Sequence, residues 1–339
     1  MEFLLDYAGF LVRAVTVLIV IVLVLSIAAS VRSRGRSKEG ELLVSNMNEF
    51  YTDLQENMEH SVLNKAQLKA LAKTKKLQKK QAKKDETQKS RVYVLNFDGD
   101  IKASAVDSLR HEITALLSIA KPTDEVVLRL ESGGGMVHSY GLASSQLARI
   151  RDAQIPLTIC VDKIAASGGY MMACIGDKIL SAPFAMLGSI GVVAQIPNIH
   201  RLLKKNDIDV EVLTAGDYKR TLTVMGENTE QARQKFLQEL QTTHDLFKQF
   251  VARFRPQLDI DAVATGEVWL GTDAQGLNLV DQLQTSDEYL SKRAAEADLF
   301  LLEFIQKKSL QERVGLTASA AVEHVADKSW ERLQQRFMS

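Results

Sequence analysis

The chain has 339 residues, enough for one large domain with additional segments at its ends. Its 42 Lys and Arg residues balance 42 Asp and Glu residues, so the overall charge predicts neither a nucleic acid nor an acidic partner. Two cysteines, both in apolar runs, exclude a disulfide framework or a cysteine-based metal cluster. The six histidines are scattered and show no metal-ligand spacing.

An uncharged apolar segment lies near the N-terminus. Residues 14–31 contain no charged side chain over eighteen positions, which is long enough for a membrane span. A cleaved signal peptide is the alternative, but Glu2 and Asp6 precede the segment where such a peptide carries basic residues. We therefore predict a membrane anchor with a basic flank over residues 1–38. Four basic residues within 32–38 favour a cytoplasmic location for the globular part of the chain.

A lysine-rich region separates this anchor from the globular part. Apolar residues recur at helical spacing over residues 41–84, and residues 65–89 contain ten lysines. We predict a helical linker over residues 39–90. Its lysines either lie on a solvated face or contact anionic lipid heads of the bilayer. Nucleic acid is not expected as a partner, because no aromatic residues interleave with the lysines.

The globular part alternates strand patterns with helix patterns. Strands are predicted at residues 92–97, 125–130, 157–161, 178–182 and 186–195, with a strand-like segment at 209–213, and helices at 104–120, 137–151, 167–175 and from Asn228 or Thr229 to Phe254. This alternation predicts an α/β fold of repeated right-handed βαβ units with a mainly parallel sheet over residues 91–290. Residues 291–339 are predicted to form a helical tail without chemistry.

Ser167 is the best candidate for a nucleophile. It follows the apolar run 157–161, where a strand ends and a helix begins, and two glycines after it leave backbone N–H groups unobstructed. A serine needs a base, and residues 183–198 contain no histidine. Lys219, 52 positions later, could serve if apolar surroundings lower the pKa of its amine from about 10.4 to about 7–8.

These motifs carry a resemblance. The segment around Ser167, the Gly-Ser-Ile-Gly-Val run at 188–192, the Tyr218-Lys219 pair and the run at 266–269 resemble the signal peptide peptidase A family of serine-lysine peptidases. The resemblance implies a ClpP/crotonase-like fold over about residues 90–290. It also implies a membrane-bound endopeptidase that cleaves hydrophobic peptides, such as signal peptide remnants or misfolded membrane proteins, without a metal or nucleotide cofactor.

The same resemblance implies an assembly and a location. The family forms ring-like homo-oligomers, in which Lys219 would reach Ser167 of a neighbouring subunit. Its better-known members are held in the bacterial inner membrane with a periplasmic catalytic domain. This location conflicts with the basic flank after the apolar segment, which favours the cytoplasm.

Two further features are candidates for supporting roles. Three glycines at 133–135 follow a strand, and the N–H groups of Gly134 and Gly135 could form an oxyanion hole with that of Gly168. The family has a proline where this chain has Gly133, which predicts a less rigid loop. The resemblance places Ser189 near the lysine, although an ordinary turn serine explains it equally well.

Two alternatives to the serine-lysine dyad remain open. His138 follows the glycine loop and could complete a Ser/His/Asp triad with Ser167. The fold could also be a catalytically inactive membrane scaffold, because fold alone does not fix function.

Overall fold

The computed structural model describes residues 40–82 and 89–306. The predicted anchor at 14–31 and residues 307–339 of the predicted tail lie outside these residues. No helix of the described part combines the length and apolarity needed to cross a membrane. Residues Leu42–Phe304 form one compact unit.

The region before the globular part contains a strand and two helices. They are β1 (Gly40–Asn46), α1 (Met47–Val62) and α2 (Lys65–Ala82). The prediction of one helix over 41–84 is therefore wrong in detail. Asn64 explains the break, because its side-chain oxygen accepts from the N–H groups of Ala66 and Gln67, both at 3.0 Å, and so caps a second helix.

The predicted alternation of strands and helices is confirmed in the first half of the globular part. Its elements are β2 (Arg91–Gly99), α3 (Val106–Leu117), β3 (Glu125–Ser132), α4 (Val137–Asp152), β4 (Leu157–Val161), β5 (Ile164–Ala166), α5 (Gly168–Ala173), β6 (Lys178–Ser181) and β7 (Met186–Gly188). The second half contains α6 (His200–Lys205), α7 (Glu230–Phe254), α8 (Ile260–Val263), β8 (Val268–Leu270), α9 (Gly271–Gly276), β9 (Gln282–Leu283), α10 (Ser286–Glu296) and β10 (Asp298–Gln306).

Two predicted strands are wrong. The strand predicted at 186–195 ends at Gly188, because Ser189 adopts a positive φ of 51° and turns the chain out of the sheet. Residues 209–213 form no strand, since they pair with no neighbouring strand of the described sheet. The long helix is confirmed as α7, and Thr229 caps it by accepting from the N–H of Ala232.

Ten strands of the described residues join one sheet in the order β1-β10-β2-β3-β4-β6-β9, and β5, β7 and β8 branch from β3. The pairings from β10 through β9 are parallel, as predicted. The predicted boundary at residue 290 falls within α10, and β10 pairs with β2 from Asp298↔Arg91 to Leu301↔Val94. The fold is thus mixed α/β with a mainly parallel sheet.

Side chains alternate between the two faces of the sheet. On β2, Tyr93, Leu95 and Phe97 pack in a core with α3, α4 and α5, while Val92 and Val94 belong to a second cluster with α10 and β10. Both faces of the central strands are therefore buried. This burial fixes the carboxyl ends of β3 and β5, where Ser167 and the glycine loop lie.

Candidate active site

Ser167 occupies a strained turn between β5 and α5. Its φ of 53° and ψ of −119° lie outside the regions that residues with a side chain normally adopt. Such strain costs about 1–3 kcal/mol and is found mainly at functional sites. Its carbonyl oxygen accepts from Met171 N–H at 3.0 Å, which starts the helix. The side chain is half-buried, so a ligand can reach it.

Ser189 lies in the equivalent position on the next strand. The β5–β7 ladder ends with the pair Ala166↔Gly188, so Ser167 and Ser189 each follow one of these paired residues. Ser189 also has a positive φ, and its N–H donates to Glu267 O at 2.6 Å. The structure thus brings the two predicted serines to adjacent strand ends, although it does not test the supporting role of Ser189.

The glycine loop lies directly against Ser167. A Cβ added to Gly134, whose φ is 87°, would be 2.7 Å from Ala166 O, Gly168 N and Ser167 Cβ. Only glycine fits such a contact. Gly133, by contrast, would meet nothing closer than Ile164 Cδ1 at 3.7 Å.

A buried hydrogen-bond chain, which the sequence did not reveal, orients this loop. Gly134 N–H donates to Ser132 Oγ at 3.1 Å, and Ser132 Oγ lies 2.5 Å from Tyr140 Oη. The Tyr140 hydroxyl donates to the backbone carbonyl oxygen of Asp100 at 2.7 Å. Because the one hydroxyl hydrogen of Tyr140 is used in the bond to the Asp100 carbonyl oxygen, the Ser132 hydroxyl is the donor in its bond with Tyr140 Oη. Burial raises the pKa of Tyr140, so the phenol stays protonated.

These hydrogen bonds reduce the number of backbone N–H groups that can serve as oxyanion donors. Gly134 N–H is already used by Ser132 Oγ. The N–H groups of Gly135 and Gly168 have no acceptor among the described residues. The geometry therefore favours Gly135 and Gly168 as donors to a developing oxyanion, with Gly134 as the residue that lets the loop approach.

A small pocket beside Ser167 is mostly apolar. It is lined by Gly135, Val137, Ser167, Gly168, Met171, Gly191, Val192, Thr243 and Phe247. None of these residues is charged. Thr243 and Phe247, one turn apart on α7, were missed as site residues. The apolar periodicity of α7 by itself indicates only a helix of the core or of a subunit interface.

His244 on α7 is a second residue that sequence reasoning missed. Its Nε2 lies 3.2 Å from Ile190 O. A carbonyl oxygen can only accept, so Nε2 carries the hydrogen in this contact. The bond fixes the segment between Ser189 and the pocket-lining Gly191 to α7.

Lys219 lies elsewhere in the single chain. It is exposed in the segment between α6 and α7, its N–H donates to Gly216 O at 3.2 Å, and it borders a surface hollow with Tyr218 and Glu239. It does not line the pocket beside Ser167. The apolar surroundings predicted for its amine are absent from this part of the described chain.

The surroundings of His138 and of the two cysteines exclude them as the catalytic base and nucleophile. His138 is exposed, and no carboxylate among the described residues hydrogen-bonds to it, so the triad geometry is not formed. Both cysteines are buried; burial raises the pKa of Cys160 to about 12 and that of Cys174 further. Their thiols are therefore poor nucleophiles.

Comparison with known proteins identifies the family of the chain. The profile of the peptidase family S49 N-terminal region matches residues 2–147, and that of peptidase family S49 matches residues 149–299. A protein named probable protease SohB from Haemophilus influenzae is 48% identical over 99% of this chain and 99% of its own length. The chain belongs to peptidase family S49.

Two further relatives are also named proteases. Probable protease SohB from Buchnera aphidicola subsp. Schlechtendalia chinensis is 48% identical over 86% of the chain and 100% of its own length. Protease 4 from Salmonella typhi is 28% identical over 60% of the chain and 32% of its own length. The resemblance drawn from the motifs is confirmed, and S49 membership identifies a serine-type peptidase. It also counts against an inactive scaffold.

Proposed function

We propose that the protein is a membrane-anchored endopeptidase with a ClpP/crotonase-like fold, in which Ser167 attacks the peptide and Lys219 is the general base. The observation that carries the proposal is the strained position of Ser167 between β5 and α5, with the unused N–H groups of Gly135 and Gly168 beside it. Strain at a nucleophile and free donors next to it are what acyl transfer requires.

The reaction proceeds in two stages. The neutral Lys219 amine takes the proton from Ser167 Oγ, which bonds to the peptide carbonyl carbon, and the N–H groups of Gly135 and Gly168 stabilise the oxyanion. The resulting ammonium protonates the leaving amine as the C–N bond breaks. Water then hydrolyses the acyl-enzyme and restores the serine hydroxyl.

Lys219 reaches this site only through a second subunit in our proposal. In one chain it is exposed, and apolar side chains of the same segment are exposed too, among them Val212, Leu213 and Met225. A neighbouring copy in a ring-like homo-oligomer would cover these side chains and remove water from the amine. Removal of water lowers the pKa of an amine, as the reaction requires.

We further propose that the substrates are hydrophobic peptides, such as signal peptide remnants or misfolded membrane proteins. The pocket beside Ser167 presents Val137, Met171, Val192 and Phe247 to the residue next to the scissile bond. Paired peptides that differ only at this residue, leucine against aspartate, test the proposal. Faster cleavage of the leucine peptide is expected, and equal rates would contradict it.

The decisive experiment compares cleavage by wild type, Ser167→Ala, Lys219→Ala and His138→Ala. The first two variants should lose about 10³-fold or more in kcat, because each removes a member of one catalytic unit. His138→Ala should stay near wild type. Equal turnover by all four proteins would refute the dyad.

Mixing the two inactive variants tests whether the lysine acts across subunits. If Lys219 serves a neighbour, oligomers assembled from Ser167→Ala and Lys219→Ala chains contain some intact sites. Recovery of activity after co-assembly is therefore expected. Continued inactivity in mixed oligomers would show that the lysine acts within its own chain.

A further inference from the structure

One face of α1 is apolar along the whole helix. Met47 and Tyr51, near its start, pack against the buried cluster that contains Leu290 and Leu299. The remainder of the face is exposed: Phe50, Leu54, Met58 and Val62 have exposed fractions of 57, 52, 65 and 66%. At about 100° per residue these positions fall on one side of the helix.

Hydrogen bonds attach the first turn of α1 to α10 and β10, so the orientation of its exposed face relative to the peptidase is fixed. Asn48 Nδ2 donates to Ala294 O and Ala297 O, both at 2.9 Å, and its Oδ1 accepts from Leu299 N–H at 2.7 Å. The helix then continues beyond these contacts. Its apolar face continues with it and meets no buried cluster of the described residues.

A cationic helix is held beside this face. The sequence of α2 contains seven lysines and no acidic residue. Lys75 joins α2 to α1 through an ion pair with Glu59 at 2.7 Å, while Lys65, Lys69 and Lys73 are exposed. The polar side of α1 carries four carboxylates and no Lys or Arg, so the positive charge that would attract an anionic membrane is that of α2.

The short connection that leads from the apolar segment at 14–31 to β1 and α1 also favours a membrane as the partner of the exposed face. Eight residues separate Gly40 from the uncharged segment at 14–31, which we propose as the membrane anchor. An extended connection of this length spans about 30 Å at most. A second copy is less suitable, because pairing two such faces would bring together two lysine-rich helices and their like charges would repel.

We propose that α1 docks on the anionic bilayer that holds the anchor, with Phe50, Leu54, Met58 and Val62 against the acyl chains and the α2 lysines at the headgroups. This docking rests on the proposed anchor but not on the catalytic dyad. It gives the region between anchor and peptidase a function in holding the molecule at the membrane surface.

The test places a fluorescent probe on α1 of the full chain. Met58→Cys is labelled with an environment-sensitive dye and reconstituted into vesicles of phosphatidylcholine and phosphatidylglycerol, with or without brominated acyl chains. Cys160 and Cys174 are buried, so wild type should take up little dye. The matched control is Asp53→Cys, on the polar side of the same helix.

Docking predicts a blue-shifted Met58 probe that brominated lipid quenches about twofold or more strongly than the Asp53 probe, because interfacial helices bury their apolar face by about 5–10 Å. Vesicles of phosphatidylcholine alone should weaken this quenching. A blue shift without quenching would assign the face to a second copy and overturn the proposal.

Equal quenching at both positions, or none at either, would also overturn it. Vesicle flotation separates this failure from failure of the anchor. A chain that does not float with the vesicles lacks the anchor on which the docking rests, whereas a floating chain with an unquenched Met58 probe has the anchor without the docking. The cleavage activity of Met58→Cys shows that the labelled protein is folded.

Discussion

The backbone N–H of Ser167 donates to the carbonyl oxygen of Gly188 at 2.8 Å. This bond extends the β5–β7 ladder by one residue beyond its last pair, Ala166↔Gly188. The strained φ of Ser167 is therefore held by the sheet on one side. Gly134 packs against it on the other, so the serine has little freedom to relax.

The close approach of Gly134 to the backbone around Ser167 makes it sensitive to substitution. Gly134→Ala should lower kcat/KM by about 100-fold or more, because its Cβ would collide with fixed backbone atoms next to Ser167 and displace the oxyanion donors. Gly133→Ala is the matched control and should stay near wild type, since its Cβ has room. Peptide cleavage measures both, and similar losses in the two variants would contradict the prediction.

The tyrosine beneath the loop should affect both activity and stability. Tyr140→Phe removes the group that accepts from Ser132 and donates to Asp100 O, so we expect about tenfold lower kcat and a loss of about 1–2 kcal/mol in the free energy of unfolding.

Tyr93→Phe provides the control for this substitution, because the buried Tyr93 hydroxyl has no partner among the described residues. Its removal should leave activity unchanged and stability unchanged or slightly higher. Chemical denaturation and peptide cleavage distinguish the two variants. Equal behaviour would show that the hydrogen-bond chain does not orient the loop.

The contact between His244 and Ile190 should depend on a donor at one position of the side chain. Glutamine can place an N–H near Nε2, whereas asparagine is too short. His244→Gln should therefore retain most activity, and His244→Asn should raise KM or lower kcat by several-fold as the pocket wall loosens. If both variants lose activity equally despite normal folding, the single hydrogen bond is not the cause.

Glu112 should make the stability of the fold depend on pH. Burial raises its pKa from 4.5 to about 7, and Glu303 adds to the rise, while the bond from Phe304 N–H at 2.8 Å opposes it. Between pH 4.5 and 7 the folded state retains a proton that the unfolded state loses. Stability should therefore fall as pH rises through this window, by at most about 3 kcal/mol.

Glu112→Gln tests this dependence, because the amide oxygen can still accept from Phe304 N–H but cannot ionise. The variant should be more stable than wild type at pH 8 and similar to it at pH 4.5. Denaturation curves measured across this range provide the comparison. An unchanged pH dependence in the variant would assign it to other groups.

Sequence patterns predicted the features that depend on neighbours along the chain. The alternation from β2 to β4 and the position of Ser167 at a strand end follow from local apolar runs and glycines. Residues 209–213 have a similar pattern, but they find no partner strand among the described residues. β10 was missed for the opposite reason, because its partner β2 lies about 200 residues earlier in the chain.

Prediction of the active site from sequence has the same limit, because contacts between distant residues leave no local pattern. Ser132 and Tyr140 look like an ordinary strand-end serine and a core tyrosine until the fold shows that they share a hydrogen bond. Thr243 and His244 lie on a helix far along the chain from Ser167, and the helical pattern indicated only packing. Lys219 was predicted from its motif and stays a prediction, and its approach to Ser167 depends on other subunits in our proposal.

The hydrogen-bond chain from Asp100 to Gly134 has a consequence for how the enzyme would fail. Gly133 leaves this loop conformationally free, so its rigidity comes from the hydrogen bonds that join it to Ser132 and Tyr140 in the hydrophobic interior. Mild heating or denaturant that loosens the packing of this interior should therefore abolish peptide cleavage while most helices remain folded. Loss of activity would then report the loss of side-chain packing before the secondary structure unfolds.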